Sequence, residues 1–250
     1  MIIDSHLHLP FDVAGLASKK QALLNELSRN GVDRGIVIAD SELESCIGSV
    51  QDCAELFRGD STIKVIAGIS PLISFEGQLS YCSDLLSSGD IVGLKVYTGH
   101  EHFYCTDSFL FPVYDLAVLY GVPVLFHTGW ADRQYACPEI MRELADSRKD
   151  NVFVYCHCFY PDTEKCFDIL GDCGNVYFDT SSIADETGKY PEIKTSLEKA
   201  IDRMPERFIF GSDYGSCSQE VHLRFAESLD ITDVQRELLM YRNAEYVYRL

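Results

Sequence analysis

The chain has 250 residues, with 21 Lys and Arg against 39 Asp and Glu, for a formal net charge of -18. Hydrophobic residues make up 46% and charged residues 24%, which supports a sizeable core and excludes a mainly disordered chain. No run of about 18 apolar residues occurs, so no membrane span is expected, and a field of this sign repels phosphate backbones, so no nucleic-acid partner is expected either.

The recurring unit is a short β-branched apolar run, a polar turn and a helical stretch. The first run, Ile2-Ile3, leads into Asp4-Ser5-His6-Leu7-His8, and a helix over 18–29 ends at Asn30-Gly31. The second run, 34–39, precedes a predicted helix over 42–58. The third, 63–69, precedes one over 76–87. The fourth, 91–97, is followed by a loop and a helix over 109–120. Runs five to seven, at 123–127, 152–157 and 176–180, precede helices over 138–147, 162–171 and 191–203. The eighth, 207–213, precedes helical sequence over 218–229 and 232–248.

Eight strands, each followed by a helix, is the count of a closed parallel barrel, and continuous apolar strands suit burial on both faces. An open doubly wound sheet would carry a glycine-rich phosphate turn after strand one, where Ser5-His6-Leu7-His8-Leu9-Pro10 stands instead. The expectation is an α/β fold, a (β/α)₈ TIM barrel, as one domain over 1–250 with C-terminal helices. The ten cysteines form no C-x-x-C motif, and Cys46, Cys53, Cys82, Cys166 and Cys173 fall in predicted helices or at their ends. Together with a start, Met1-Ile2-Ile3-Asp4, that lacks a basic segment, they read as reduced thiols of a cytoplasmic protein.

Four of the seven histidines, His6, His8, His127 and His157, stand at the ends of predicted strands one, five and six. In a barrel those ends meet at one mouth. His6 and His8 are two apart, so on a strand both imidazoles point the same way. Asp213 closes strand eight, where its ordinary reading is a helix N-cap. Lys95 is a cation inside an apolar strand, and its ordinary reading is a snorkelling end residue. Each has a bland explanation alone. Together, six polar residues at C-terminal strand ends offer imidazoles and a carboxylate suited to Zn²⁺, Mn²⁺ or Fe²⁺.

Here the chain resembles the amidohydrolase superfamily of metal-dependent hydrolases, most closely its amidohydrolase 2 branch. The resemblance is carried by Ile3-Asp4-Ser5-His6-Leu7-His8, Gly93-Leu94-Lys95-Val96-Tyr97, Pro123-Val124-Leu125-Phe126-His127-Thr128-Gly129, Tyr155-Cys156-His157, Val176-Tyr177-Phe178-Asp179-Thr180-Ser181-Ser182, Phe210-Gly211-Ser212-Asp213-Tyr214 and the late Arg242-Asn243-Ala244. It implies a distorted barrel with one or two divalent metals, zinc first and manganese or iron as alternatives. His6, His8, His127 and Asp213 would bind metal. His157 would ligate a second metal or hold water and substrate. Lys95 stands where two-metal relatives have a carboxylated lysine, and unmodified it would pair with an anionic substrate group. The implied reaction is hydrolysis of a small amide, lactone or ester, with Asp213 moving the proton and His157 stabilising the oxyanion.

Residues after the strand ends are candidate pocket walls: Tyr97, Trp130 and Arg133 for substrate contact, with His100, His102, Tyr104, Tyr135, Phe159, Tyr160 and Tyr214 around them. The loop 97–106 has the length of a lid. Three rivals remain at this point. A metal-dependent decarboxylase or hydratase of an unsaturated or aromatic acid shares the ligands. A TatD-type DNase shares the His-x-His pair and the strand-eight Asp but has Glu at the Lys95 position. A non-catalytic metal-binding protein could keep the fold. A homo-oligomer is open, and no membrane partner is expected.

Overall fold

The structure is a computed structural model describing residues 1–129 and 132–250. Eight strands lie parallel in sequence order: β1 (Ile3–Leu7), β2 (Arg34–Ile38), β3 (Ile63–Gly68), β4 (Leu94–Val96), β5 (Val124–Phe126), β6 (Phe153–Cys156), β7 (Val176–Asp179) and β8 (Phe208–Ile209). The segment after the two-residue β8 closes the ring. Ser5 N donates to Phe210 O at 3.0 Å, Asp213 N to His6 O at 2.8 Å, and His8 N to Tyr214 O at 2.7 Å. The (β/α)₈ TIM barrel predicted from the element count is therefore present.

Period two decides what enters the barrel. Ile36 and Ile38 of β2, Ile66 of β3, Leu125 of β5, Val154 and Cys156 of β6, and Ile209 of β8 form one buried cluster, while the alternate residues Val37, Val65, Val124 and Tyr155 pack in the other, against the helices. The outer ring comprises α1 (Leu16–Arg29), α2 (Val50–Phe57), α3 (Phe75–Ser88), α4 (Phe111–Tyr120), α5 (Pro138–Ser147), α6 (Thr163–Leu170), the short α7 (Ile183–Glu186), α8 (Glu192–Arg203) and α9 (Gln219–Ser228). Then α10 (Asp233–Glu237), a π-helical turn at Leu238–Arg242 and α11 (Asn243–Tyr248) follow. Ala244, Val247 and Tyr248 of α11 join the interior cluster, and Asn243 Nδ2 donates to Pro205 O and Phe208 O, both at 2.8 Å. The terminal helix is thereby fixed to the end of the barrel.

Two predicted helices need correction. Of 42–58 only Val50–Phe57 is helical. Ser49 starts it with a capping box: Ser49 Oγ accepts from Asp52 N at 3.1 Å, and Asp52 Oδ2 accepts from Ser49 N at 3.3 Å. Upstream, Asp40 holds the chain in a loop, accepting from Ser45 Oγ at 2.8 Å and Glu42 N at 3.3 Å, so Cys46 lies exposed in a loop. The second is the predicted helix over 232–248, which becomes α10, the π turn and α11; its start is capped by Thr232 and Gln235. Among the described residues no helix is long and apolar enough to cross a membrane, and all ten cysteines stand as free thiols.

Candidate metal centre and active site

Continuing the interior rows upward brings the polar set together. Lys95 on β4, Cys156 and then His157 at the end of β6, His127 after β5 and Asp179 on β7 reach the same end of the barrel as His6 of β1 and Asp213 beyond β8. The backbone is bent to do so. His157 and Asp213 both have left-handed φ, 62° and 63°, a conformation that costs a non-glycine residue free energy and persists only where its surroundings impose it.

The hydrogen positions follow from the partners. His8 Nδ1 lies 2.9 Å from the carbonyl of Ile38, which only accepts, so His8 carries its hydrogen on Nδ1. His6 Nδ1 lies 2.5 Å from Asp179 Oδ2 and donates to that carboxylate. In their neutral forms both rings then turn an Nε2 lone pair toward Asp213 Oδ1, at 3.2 Å from His8 and 3.7 Å from His6. Three electron-rich atoms facing one another are what a cation requires, and the acidic partner behind His6 is the usual support of a ligating imidazole. The donor atoms of His6, His8 and Asp213 all lie within 4.8 Å of one another. These residues fit a divalent metal.

His157 and His127 make a second line. His157 Nδ1 faces the Ser181 carbonyl at 3.2 Å and Ser181 Oγ at 2.8 Å. Its Nε2 lies 3.2 Å from His127 Nδ1. If Nδ1 of His157 donates to the carbonyl, its Nε2 accepts from His127, and His127 Nε2 is left as a buried lone pair with no hydrogen-bond partner. In that tautomer the His157 hydrogen lies on Nδ1, toward Ser181. The free donor atom belongs to His127.

Burial sets the charge states. It pulls the pKa of His6 below the ordinary range despite Asp179, pulls His127 well below with help from His157, Lys95 and His100, and brings His157 to about 3. Burial alone would lift Asp213, but His6 and His8 outweigh it and hold the carboxyl well below the usual carboxylate range. Asp179, similarly buried, is held at about 2 by His6. Near pH 7 His6, His127 and His157 are therefore neutral, the form in which an imidazole ligates metal.

Lys95 is fully buried, and its Nζ donates to Cys156 Sγ at 3.0 Å and lies 5.5 Å from the Tyr97 ring centroid. Unmodified, Lys95 acts here as a hydrogen-bond donor rather than a metal ligand. Asp4, next to the motif, accepts from Ser212 N at 3.0 Å, Ser212 Oγ at 2.5 Å and Gln219 Nε2 at 2.8 Å. That clamp fixes the turn presenting Asp213, whose other oxygen accepts from Ser182 Oγ.

A cavity of about 400 Å³ opens over the set, lined by all six predicted residues and by Tyr97. Arg133 is not among its walls. Its guanidinium donates to Asp162 Oδ2 at 2.7 Å and to Phe159 O at 3.2 Å and packs over the Phe159 ring, so it does not line the cavity as a substrate contact. Trp130 lies outside the described residues. The loop 97–106 is tied down rather than free-standing: Thr98 Oγ1 donates to His127 O at 2.9 Å and Asp132 N to Gly99 O at 3.2 Å. The sequence reading missed the supports Asp179, Ser181 and Ser182 and the acidic walls Asp40, Glu42 and Glu101. Asp179 had a signal, since it closes strand seven as Asp213 closes strand eight.

Fold and site together define a parallel barrel whose mouth gathers histidines and a carboxylate for a divalent cation. The profile of the Amidohydro_2 family, described as amidohydrolase, matches residues 3–250, and the chain belongs to this family. No curated protein matches it in sequence. Among solved structures it is similar to an amidohydrolase from Burkholderia multivorans with bound zinc (TM-score 0.76, 17% identity, covering 100% of this chain and 99% of that one). It is also similar to 5-carboxyvanillate decarboxylase from Sphingomonas paucimobilis (0.71, 14%, 100% and 99%) and to dihydroxybenzoic acid decarboxylase from Polaromonas sp. JS666 with bound manganese (0.68, 14%, 100% and 97%). At these identities the likeness is one of fold.

Proposed function

We propose that this chain is a metal-dependent hydrolase acting on the carbonyl of a small amide, lactone or ester. One observation carries the reading: the lone pairs of His6 and His8 and the ionised Asp213 converge beneath a cavity that has no arginine, and Lys95 is its only lysine among the described lining residues. Against that single cation stand Asp40, Glu42, Glu101 and Asp213. Away from the divalent cation, the acidic walls Asp40, Glu42 and Glu101 favour a substrate that carries no further negative charge there. A volume of about 400 Å³ suits a small molecule.

His6, His8 and Asp213 would hold a divalent cation, zinc or alternatively manganese, with His127 Nε2 as the further free donor. Such a cation supplies Lewis acidity and lowers the pKa of a nearby water. Asp213, ionised and oriented by Ser182 and the His pair, takes a proton from the attacking water and returns it to the leaving nitrogen or oxygen. Lys95 Nζ, held by Cys156 Sγ in the wall of the same cavity, is a hydrogen-bond donor available as negative charge builds on the substrate oxygen. The ten free thiols support placing the enzyme in a reducing cytosol.

The test is turnover by the zinc- or manganese-loaded protein across amides, lactones and esters, beside a panel of hydroxybenzoic acids. Expected are hydrolysis without CO₂ release, loss of activity with chelator, and a fall of roughly 10²- to 10⁴-fold in Asp213→Asn. The likeness to decarboxylases supports the competing reading, in which CO₂ release replaces hydrolysis. Chelator-insensitive turnover would overturn both.

A further inference from the structure

Ser182 stands where a serine has an ordinary task. It immediately precedes α7, and a serine in that position normally holds extended backbone and turns its hydroxyl to the first amides of the helix. Ser182 does neither. Its φ of 63° is left-handed, and its side chain makes no capping bond. From its buried position the hydroxyl instead donates to Asp213 Oδ2, joining the segment after β7 to the segment after β8. Ser182 Oγ in turn accepts from Cys217 Sγ at 3.7 Å. The two oxygens of Asp213 are thereby divided. Oδ1 faces Nε2 of His8 at 3.2 Å and Nε2 of His6 at 3.7 Å, while Oδ2 is held by Ser182. Asp213 also stands on left-handed backbone, with φ 63°. Both ends of this hydrogen bond therefore occupy a conformation that costs a non-glycine residue free energy. Glycine would take it at little cost but has no hydroxyl to give.

Resting on the hydrolase reading above, we infer that Ser182 is a positioning residue: its hydroxyl sets the rotation of the Asp213 carboxylate so that Oδ1 is presented to the imidazole pair, and the left-handed backbone at 182 is kept for this bond rather than for the stability of the fold. Without the hydroxyl, Oδ2 loses its donor in a buried setting and the carboxylate is free to turn. One of the three donors facing the cation site then loses its orientation, and so does the group that moves the proton. The diversion of a would-be helix cap to Asp213 is what separates this role from an ordinary structural one.

The experiment compares three substitutions at this position. Ser182→Ala removes the hydroxyl and keeps the strain, and Ser182→Gly removes both. Ser182→Thr keeps the hydroxyl and adds strain, because a β-branched residue disfavours positive φ. Urea midpoints are measured on the metal-free protein, zinc Kd by competition with a fluorescent chelator, and kcat and KM on the best amide, lactone or ester. The midpoints are expected to fall in the order Ser182→Gly, Ser182→Ala, Ser182→Thr. Function is expected to run against that order. Ser182→Thr stays within about threefold of wild type in zinc Kd and kcat, whereas Ser182→Ala and Ser182→Gly alike show a zinc Kd raised about 10- to 100-fold and a lower kcat at saturating zinc with KM little changed. Ser182→Gly matching wild type in zinc Kd and kcat overturns the inference. So does function that recovers with stability from Ser182→Ala to Ser182→Gly, or a folded Ser182→Thr no better than Ser182→Ala. If Ser182→Thr does not fold, the other two substitutions decide. If wild type hydrolyses nothing, the hydrolase reading fails separately, and zinc Kd judges Ser182 by the same order.

Discussion

Replacing Asp179 by Asn removes the charge behind His6 while keeping the side chain's shape. His6 and Asp179 are both fully buried, with Nδ1 and Oδ2 at 2.5 Å. His6 holds the buried Asp179 carboxyl at about 2, so the pair favours the ionised form. The same charge fixes the hydrogen on Nδ1 and leaves Nε2 free to ligate, so its loss weakens the ligand and permits the wrong tautomer. Loss of such a support typically costs about 10- to 100-fold in metal affinity. The assay is zinc Kd by competition with a fluorescent chelator, on metal-free wild type and Asp179→Asn. Expected is a Kd raised between about 10- and 100-fold, with activity falling at limiting zinc and largely restored by excess. A Kd within threefold of wild type, with the mutant folded, would show that Asp179 is not the support argued here.

Other outcomes follow from the same geometry. The depressed pKa values of His6, His127 and His157 mean that the unfolded chain takes up protons first as pH falls below about 6.5, so the metal-free protein loses stability there. Asp179 and Asp213, held below 3.8, give up their contribution only at still lower pH. Urea midpoints should therefore fall between pH 7 and pH 5, less steeply in His157→Gln by up to about 1.4 kcal/mol per pH unit; equal slopes would refute this. Arg133→Gln should leave kcat/KM within about threefold and cost under about 1 kcal/mol of stability, because its bridge to Asp162 is partly exposed; a large KM effect would return it to the substrate site. Lys95, already bonded to Cys156 Sγ, should remain an unmodified amine: ¹³C-bicarbonate should give no carbamate signal, and activity should not depend on added bicarbonate.

The barrel was legible because its signal is repeated. Eight β-branched runs at regular intervals specify the strand count, and Pro138–Ser147 was placed to the residue. The polar residues that meet at the barrel mouth were legible for the same reason, since His6, His8, His127, His157 and Asp213 stand at strand ends. What escaped depends on contacts distant in sequence. Ser41–Glu44 has helical composition, yet Asp40 holds it in a loop that puts Ser41 and Glu42 in the cavity wall; only Ser49-x-x-Asp52 marked where the helix begins. Arg133 looked like a substrate contact, and nothing local to it announces Asp162 twenty-nine positions on.

The backbone marks the same location by a different criterion. Among the described residues seven non-glycine positions have positive φ, and five of them, His157, Cys158, Phe159, Ser182 and Asp213, follow strands β6, β7 and β8. A left-handed non-glycine residue costs on the order of 1 kcal/mol or more, so this rim is held by the surrounding bonds: Cys158 Sγ to Asp179 O at 3.3 Å, Phe159 N to Thr128 Oγ1 at 2.9 Å and Asp213 N to His6 O at 2.8 Å. Each of these bonds joins one strand end to another, so no strand could adopt its strained turn alone. The closed barrel thus does more than collect donors from distant parts of the chain. It holds His157 and Asp213 in conformations the isolated segments would abandon, which is why the metal site depends on closure of the whole ring.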